Sequence, residues 1–339
     1  MPADPWTLYR WMLTSRLFEQ EVAVLWRAGL VSGEMHLGTG EEGISAGVVT
    51  QLGEGDAMAL DHRGTPPLLM RGANPVALLR EILGREDGLS RGRGGHMHLF
   101  VPELLAASSG IVGATGPMAV GFALAAQHLR PGRVAVSFFG EAAMNEGALL
   151  ESLNLAVAWR LPVLFVCKDN GWSITTYSPS MTGGRLVERA RAFGMPAADV
   201  DGTDALAVHS LTEAMLPHLR QGNGPAFLLA RCVHLDGHFL GDQLLAAARR
   251  PLRVLAPMAI PLSRAALSRH SAPLRDRSHA LTDLLTRAGR SASAARSLPD
   301  PLDRTRRTLL AETERLRTME AAVTAEVRAL VDVALEETP

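Results

Sequence analysis

The chain has 339 residues, a formal net charge of −1 at pH 7, 47% hydrophobic residues and 20% charged ones. These are globular values, and the length allows one large domain or two ordinary ones. There is no basic excess for nucleic acid and no acidic tail. Two cysteines, Cys167 and Cys232, make no disulfide framework, and no run reaches the ~18 apolar residues of a membrane span.

Leu8, Met12, Leu17, Val22, Leu25 and Leu30 recur at helical spacing, so residues 8–30 read as an amphipathic helix. In Asp61-His62-Arg63-Gly64, Arg63 taken alone reads as an ordinary surface arginine, although its planar fork can match phosphate oxygens. Asn74 is placed to cap another helix, with Pro75 at its first position and Gly84 ending it. Arg91 to Gly95 is a glycine-rich loop. His96 and His98 alternate as they would on one face of a strand. No Cys or acidic cluster accompanies them, so they read as structural or near-site residues rather than zinc ligands. Gly110 to Gly116 is a second glycine-rich turn, followed by an alanine-rich helix from Ala119 to His128.

The richest stretch runs from Val134 to Thr176. VAVSFF is a short apolar strand that stops at Gly140. Asn145 then reads as a helix cap, with Leu149, Leu150, Leu153 and Val157 following at helical spacing. Pro162 opens a second strand, VLFVC, which ends at Lys168-Asp169-Asn170-Gly171, and Cys167 reads as buried packing. Such a βαβ unit makes two parallel strands, and ligands of parallel sheets sit beyond the strands' carboxyl ends. Glu141 ends the first strand and Asn170 the second, 29 residues apart. Two oxygen-bearing side chains therefore meet beside a helix N-terminus, an arrangement suited to a hard cation holding a phosphate. Lys168 is the only lysine, which reads as the mark of a GC-rich, bacterial genome. A helix over 204–220 and a strand over 226–232 complete the α/β pattern. Residues 243–297 then turn rich in Ala, Arg, Leu and Ser, and a tail that starts at Asp300-Pro301-Leu302 ends in a charged helix through about Leu335.

The stretch 134–176 resembles the thiamine-diphosphate motif, which usually opens Gly-Asp-Gly and closes Asn-Asn. Other words narrow the resemblance to the alpha subunit of 2-oxo acid dehydrogenases of the pyruvate, branched-chain and acetoin type. They are LYRWMLTSRLFEQEV, GEMHLGTGEEG, DHRG, GRGGHMHLF, GIVGATGPMAVGFALA, NEGALLESLNLAVAWRLPVLFVC, VDGTDALAV and DGHFLGD. They fall in the family's order from Leu8 to Asp242, roughly two thirds of the chain.

The resemblance implies an α/β, three-layer thiamine-diphosphate fold: a mostly parallel sheet with helices on both faces, plus helical extensions. Residues 1–242 would form the diphosphate-binding domain with its N-terminal helix. Residues 243–297 would be a divergent insertion, either a partly ordered surface excursion or an altered lid. Residues 298–339 would be a helical tail on the same domain. The start of the family-like helix near the N-terminus leaves no room for a signal or transit peptide, which implies a cytoplasmic protein.

By the same resemblance, Glu141, Asn170 and the carbonyl of Trp172 would bind the metal, and the turn Gly140-Glu141-Ala142-Ala143 would hold the diphosphate. His62 and Arg63 would bind it from the other side. Gly110 and Val112 would contact the aminopyrimidine, with Val112 wedging the cofactor into its bent form. His238 matches the mobile-loop histidine that stabilises charge or moves a proton, and His234 stands where the family has a phosphate-binding arginine. Several positions depart from the pattern. Glu141 replaces Asp and moves the carboxylate by roughly 1.5 Å, one carbon–carbon bond, which Ca²⁺ tolerates better than Mg²⁺. Ala142 replaces Gly, Asp169 replaces the first Asn, Thr65 replaces a His, and Phe239 replaces a regulatory Ser. The family's activating glutamate lies on a separate beta subunit, so a beta partner and a heterotetramer are implied, with acyl transfer to a lipoyl carrier. A divergent carboligase or acyl transferase, and a non-catalytic structural paralogue, remain as alternatives.

Overall fold

The computed structural model describes residues 3–241 and 298–336, with isolated positions between 260 and 293. Its strands are β1 (Ala57–Leu60), β2 (Phe100–Val101), β3 (Ala106–Ser108), β4 (Ala135–Gly140), β5 (Val163–Asp169), β6 (Trp172–Ser173), β7 (Thr176–Tyr177), β8 (Ala197–Asp201) and β9 (Ala226–Arg231). Seven of them form one sheet in the order β2-β3-β1-β4-β5-β9-β8, and β6 and β7 pair as a small antiparallel ribbon. Every pairing in the main sheet is parallel except that of the edge strand β2.

Both faces of this sheet are buried, and the side-chain period of two assigns residues to each. Met58 and Leu60 of β1, Val136 and Phe138 of β4, Leu164 and Val166 of β5, and Leu228 of β9 enter one cluster. Their neighbours Ala57, Ala59, Ala135, Phe139, Val163, Phe165, Phe227 and Leu229 enter another. The first cluster takes in side chains of α1 (Pro5–Arg27), α2 (Glu42–Val49), α3 (Thr65–Arg71), α4 (Pro75–Ile82) and α8 (Ala205–Arg220). The second takes in α5 (Thr115–Leu129), α6 (Gly147–Ala158) and α7 (Leu186–Ala192). The layers are therefore helix, sheet, helix, as the resemblance implies. Phe138, Phe139, Phe165 and Phe227 are at most 1% exposed, and burying each contributes about 1.5–3 kcal/mol.

The Asn74 cap forms as the sequence indicates, with Oδ1 accepting from Val76 and Ala77 at 3.0 and 3.1 Å. Two other boundaries differ. α1 begins at Pro5, where the Asp4 carboxylate accepts the N–H groups of Trp6 and Thr7, and it ends at Arg27, leaving Leu30 outside it and exposed. α6 begins at Gly147 with Glu146 at the cap position. Asn145 is drawn away instead, donating to Thr182 and accepting from Arg189, both at 3.0 Å. His96 and His98 lie in turns before β2, not on a strand. The glycine-rich loop is pinned by the fully buried Glu81 of α4, whose carboxylate accepts from the backbones of Ser90, Gly92 and Gly94.

In the C-terminal part, α9 (Pro301–Thr308) and α10 (Thr313–Leu335) return to the N-terminal helix. Tyr9 and Leu13 of α1 share a core with Leu309, Leu316, Val323 and Val327. Asp300 caps α9 and forms a two-pronged pair with Arg16 at 2.9 and 3.0 Å. Asp242 and nearly all of the segment 243–297 lie outside the described residues.

Candidate active site

Five of the six parallel strands end on one cleft. β1 delivers Asp61, His62 and Arg63; β3 delivers Gly110 and Val112; β4 delivers Gly140, Glu141, Ala142 and Ala143; β5 delivers Asn170 and Trp172; β9 leads to His234 and His238. Every residue the sequence nominates lines this one cavity. The strand order reverses around β1, because β3 lies on one side of it and β4 on the other. That reversal is where parallel sheets open a crevice.

One arm of the cleft is built around Arg63, which is 2% exposed. Its backbone N–H donates to Asp61 at 3.1 Å. Its guanidinium donates to the carbonyls of Leu37 and His238, the latter at 2.7 Å. Arg63 thus ties the His238 loop to the loop before α2. His36, His62 and His238 crowd beside it, with ring centroids 4.8–5.8 Å apart. Burial, reinforced by the Arg63 charge, lowers His36 and His238 to about 3, and drives His62 lower still. All three are neutral at pH 7. His62 Nε2 is buried with no hydrogen-bond partner among the described residues. An orphaned imidazole nitrogen here is a ready contact for a ligand. His96 stacks on His36, with Nε2 3.1 Å from the His36 Nδ1, while His98 is exposed. The near-site reading of His96 therefore holds.

The other arm carries the oxygen donors. Glu141 is 4% exposed and accepts from the Ser178 hydroxyl at 2.5 Å. Burial raises its carboxyl to about 8, although the Ser178 hydroxyl and the Asn170 backbone N–H pull the other way. Asn170 Oδ1 accepts the Trp172 N–H at 2.7 Å, and its amide Nδ2 lies 2.6 Å from His234 Nδ1. Nδ2 can only donate there, so His234 carries its proton on Nε2 and gives it to Glu41 at 2.7 Å. Burial, then the Arg63 charge, lowers His234 to about 4. It is therefore a neutral linker at pH 7. At the mouth, Ile111 and Val112 stand 68% and 58% exposed. Such apolar side chains beside a cleft are a surface waiting for a cover.

Sequence reasoning missed the inner wall. Glu41, Asp61 and Lys168 are all buried and all line the cavity. Lys168 Nζ lies 2.6 Å from Glu41 and 3.0 Å from Asp61. Lys168, which the sequence singles out only as the one lysine, is thus part of this wall. The available signal was a lone lysine directly before Asp169-Asn170, preceded by two words that contain Glu41 and Asp61.

Comparison with known proteins agrees with this geometry. The family described as dehydrogenase E1 component matches residues 9–249. The chain is 40% identical over 238 residues to the alpha subunit of acetoin:2,6-dichlorophenolindophenol oxidoreductase of Cupriavidus necator, covering 70% of this chain and 72% of that one. It is 37% identical over 237 residues to the Bacillus subtilis protein of the same name, covering 69% and 71%. It is 34% identical over 237 residues to the pyruvate dehydrogenase E1 component subunit alpha of Zymomonas mobilis, covering 69% and 67%. With its cleft at the carboxyl ends of a parallel sheet and a match over most of its length, the chain belongs to the dehydrogenase E1 component family, as an alpha subunit of the thiamine-diphosphate-dependent 2-oxo acid dehydrogenase type.

Proposed function

We propose that this chain is the diphosphate-binding half of a thiamine-diphosphate enzyme that decarboxylates a 2-oxo acid or cleaves acetoin. The acyl group would pass to a lipoyl carrier. The observation that carries the reading is the convergence of all the nominated residues on one cleft at five strand ends. The residues suit the cofactor. Glu141, Asn170 and the Trp172 carbonyl are hard oxygen donors for Mg²⁺ or Ca²⁺. His62, Arg63 and His238 would supply nitrogen groups toward a diphosphate, and His234 would do so only by giving up its bond to Asn170 or Glu41. When bound, the cofactor supplies the carbanion that attacks a 2-keto carbon. A beta subunit would cover the exposed Ile111 and Val112 and complete the site, in a heterotetramer. A cytoplasmic, bacterial setting belongs to the same reading, supported by two buried free thiols.

His238 is the residue we assign to proton transfer. It is neutral at pH 7, the form that can accept a proton from the reacting centre. His238→Ala should cut turnover at least about 100-fold while changing cofactor affinity far less. Arg63 grips the backbone carbonyl at 238, which the substitution leaves in place. Steady-state kinetics beside calorimetry would check this; loss of affinity with turnover intact would remove His238 from the chemistry.

The function itself is tested by titrating thiamine diphosphate, with Mg²⁺ and then with Ca²⁺, into this chain co-expressed with its beta subunit. Saturable, metal-dependent binding is expected. A folded complex that binds with neither metal would favour the structural-paralogue alternative.

A further inference from the structure

Lys168 is the one lysine in 339 residues, and it lies inside the cleft. It sits on β5, in register with Gly140 of β4 and Ala230 of β9, two residues before Asn170. Its ammonium is 2.6 Å from one Glu41 oxygen and within 3.0 Å of both Asp61 oxygens. Side-chain exposure is 3% for Lys168 and 4% for Glu41, so water screens this group poorly.

The same two carboxylates serve Arg63. Asp61 accepts its backbone N–H, and a Glu41 oxygen lies 3.9 Å from its Nε. The wall therefore holds two cations and two carboxylates. Two carboxylates within 3.0 Å of Nζ favour the charged ammonium in this buried place. Glu41 is held below the usual carboxylate range: burial pushes it up, and Lys168, His234 and Arg63 overcome that.

We propose that Lys168 is a positioning residue for anion capture: it cancels the charge of Glu41 and Asp61, so that the Arg63 guanidinium keeps its attraction for a diphosphate. Without Lys168 the wall has one cation against two carboxylates and repels an anion. With it the wall is balanced, and Arg63 need not be neutralised by its own supports. This rests on the reading above that the cleft takes a diphosphate. A purely packing role would predict something different, because the sign of the local charge would not matter to it.

The test uses the assembled complex with the beta subunit, and two probes measured by calorimetry: inorganic pyrophosphate alone, and thiamine diphosphate with Mg²⁺. Lys168→Met should weaken both by 10-fold or more, and Lys168→Arg should restore most of the loss. Asp61→Asn, a near-isosteric change in a protein that keeps Lys168, should tighten pyrophosphate several-fold, because it leaves the wall net positive. Lys168→Met combined with Asp61→Asn should recover affinity relative to Lys168→Met alone. The Asp61→Asn result stands even if Lys168→Met fails to fold. Weaker or unchanged pyrophosphate binding in Asp61→Asn overturns the proposal. Wild-type binding of pyrophosphate but not of thiamine diphosphate with Mg²⁺ overturns the cofactor reading and leaves the anion role supported. Binding of neither overturns both.

Discussion

Glu141→Ala is expected to abolish metal-dependent uptake of thiamine diphosphate by the assembled enzyme, a loss of at least about 100-fold on the scale of a lost metal ligand. Glu141 is the acidic group among the proposed oxygen donors, and it is held in place by Ser178 at 2.5 Å. The alanine variant would leave Asn170 and a carbonyl, two neutral oxygens, to face a divalent cation beside an anion. Glu141→Asp should keep the charge and shorten the arm. It should bind Mg²⁺ more tightly than the wild type if the longer side chain overreaches, and equally if the tight turn at Glu141–Asn145 already compensates. The pH dependence follows from burial. Glu141 titrates near 8, yet a metal needs the ionised form. Uptake should therefore release a proton below that pH, and apparent affinity should rise up to tenfold per unit from pH 6 to 8. Calorimetry in two buffers of different ionisation enthalpy would read the proton directly. Equal metal-dependent binding by Glu141→Ala would show that Glu141 is not a ligand.

Much of this site was legible because its chemistry is local. Glu141 and Asn170 announce themselves by ending two apolar strands of one βαβ unit, whereas Arg63 stands out only through the resemblance of Asp61-His62-Arg63-Gly64 to a family word. The resemblance implied helices on both faces of the sheet, and the strands agree with it: VLFVC is apolar throughout and VAVSFF is so but for Ser137, as strands covered on both sides tend to be. The inner wall was not legible. Glu41, Asp61 and Lys168 meet from three elements, at sequence separations of 107 and 127 residues, and no spacing rule links them. Asn145 failed as a cap because two tertiary partners, Thr182 and Arg189, compete for its amide. The start of α1 was there to be read, since Asp4-Pro5 is itself an N-cap signature; apolar periodicity alone overlooked it.

Without cofactor, the protein should be most stable near pH 6.5 and lose stability on both sides. The acid side belongs to the histidines. His234 and His96 stay neutral in the fold down to about 4, and His36 and His238 to about 3, whereas unfolded they take up protons near 6.5. As pH falls from 6.5, the unfolded state binds protons that the native state refuses, and stability falls with it. The enclosed His234 and His96 each contribute roughly 1.4 kcal/mol per pH unit; the half-buried His36 and His238 contribute less, because solvent screens them. The alkaline side belongs to buried carboxyls. Glu19, on α1, is 1% exposed and accepts the Gly38 N–H, and burial raises it to about 8. Between 4.5 and 8 the native state holds a proton there that the unfolded state has released, so this group favours the fold less as pH rises. Glu19→Gln keeps the acceptor for Gly38 and removes the titration. It should flatten the decline between pH 6.5 and 8 by up to about 1.4 kcal/mol per unit and steepen the acid limb between pH 4.5 and 6.5 by a similar amount. Bound thiamine diphosphate should flatten the acid limb instead, since an anion beside His238, His62 and His234 favours their protonated forms. Urea midpoints from pH 4.5 to 8.5, with and without cofactor and metal, separate the two limbs. An acid limb that the cofactor leaves untouched would mean that the histidine cluster does not face the diphosphate.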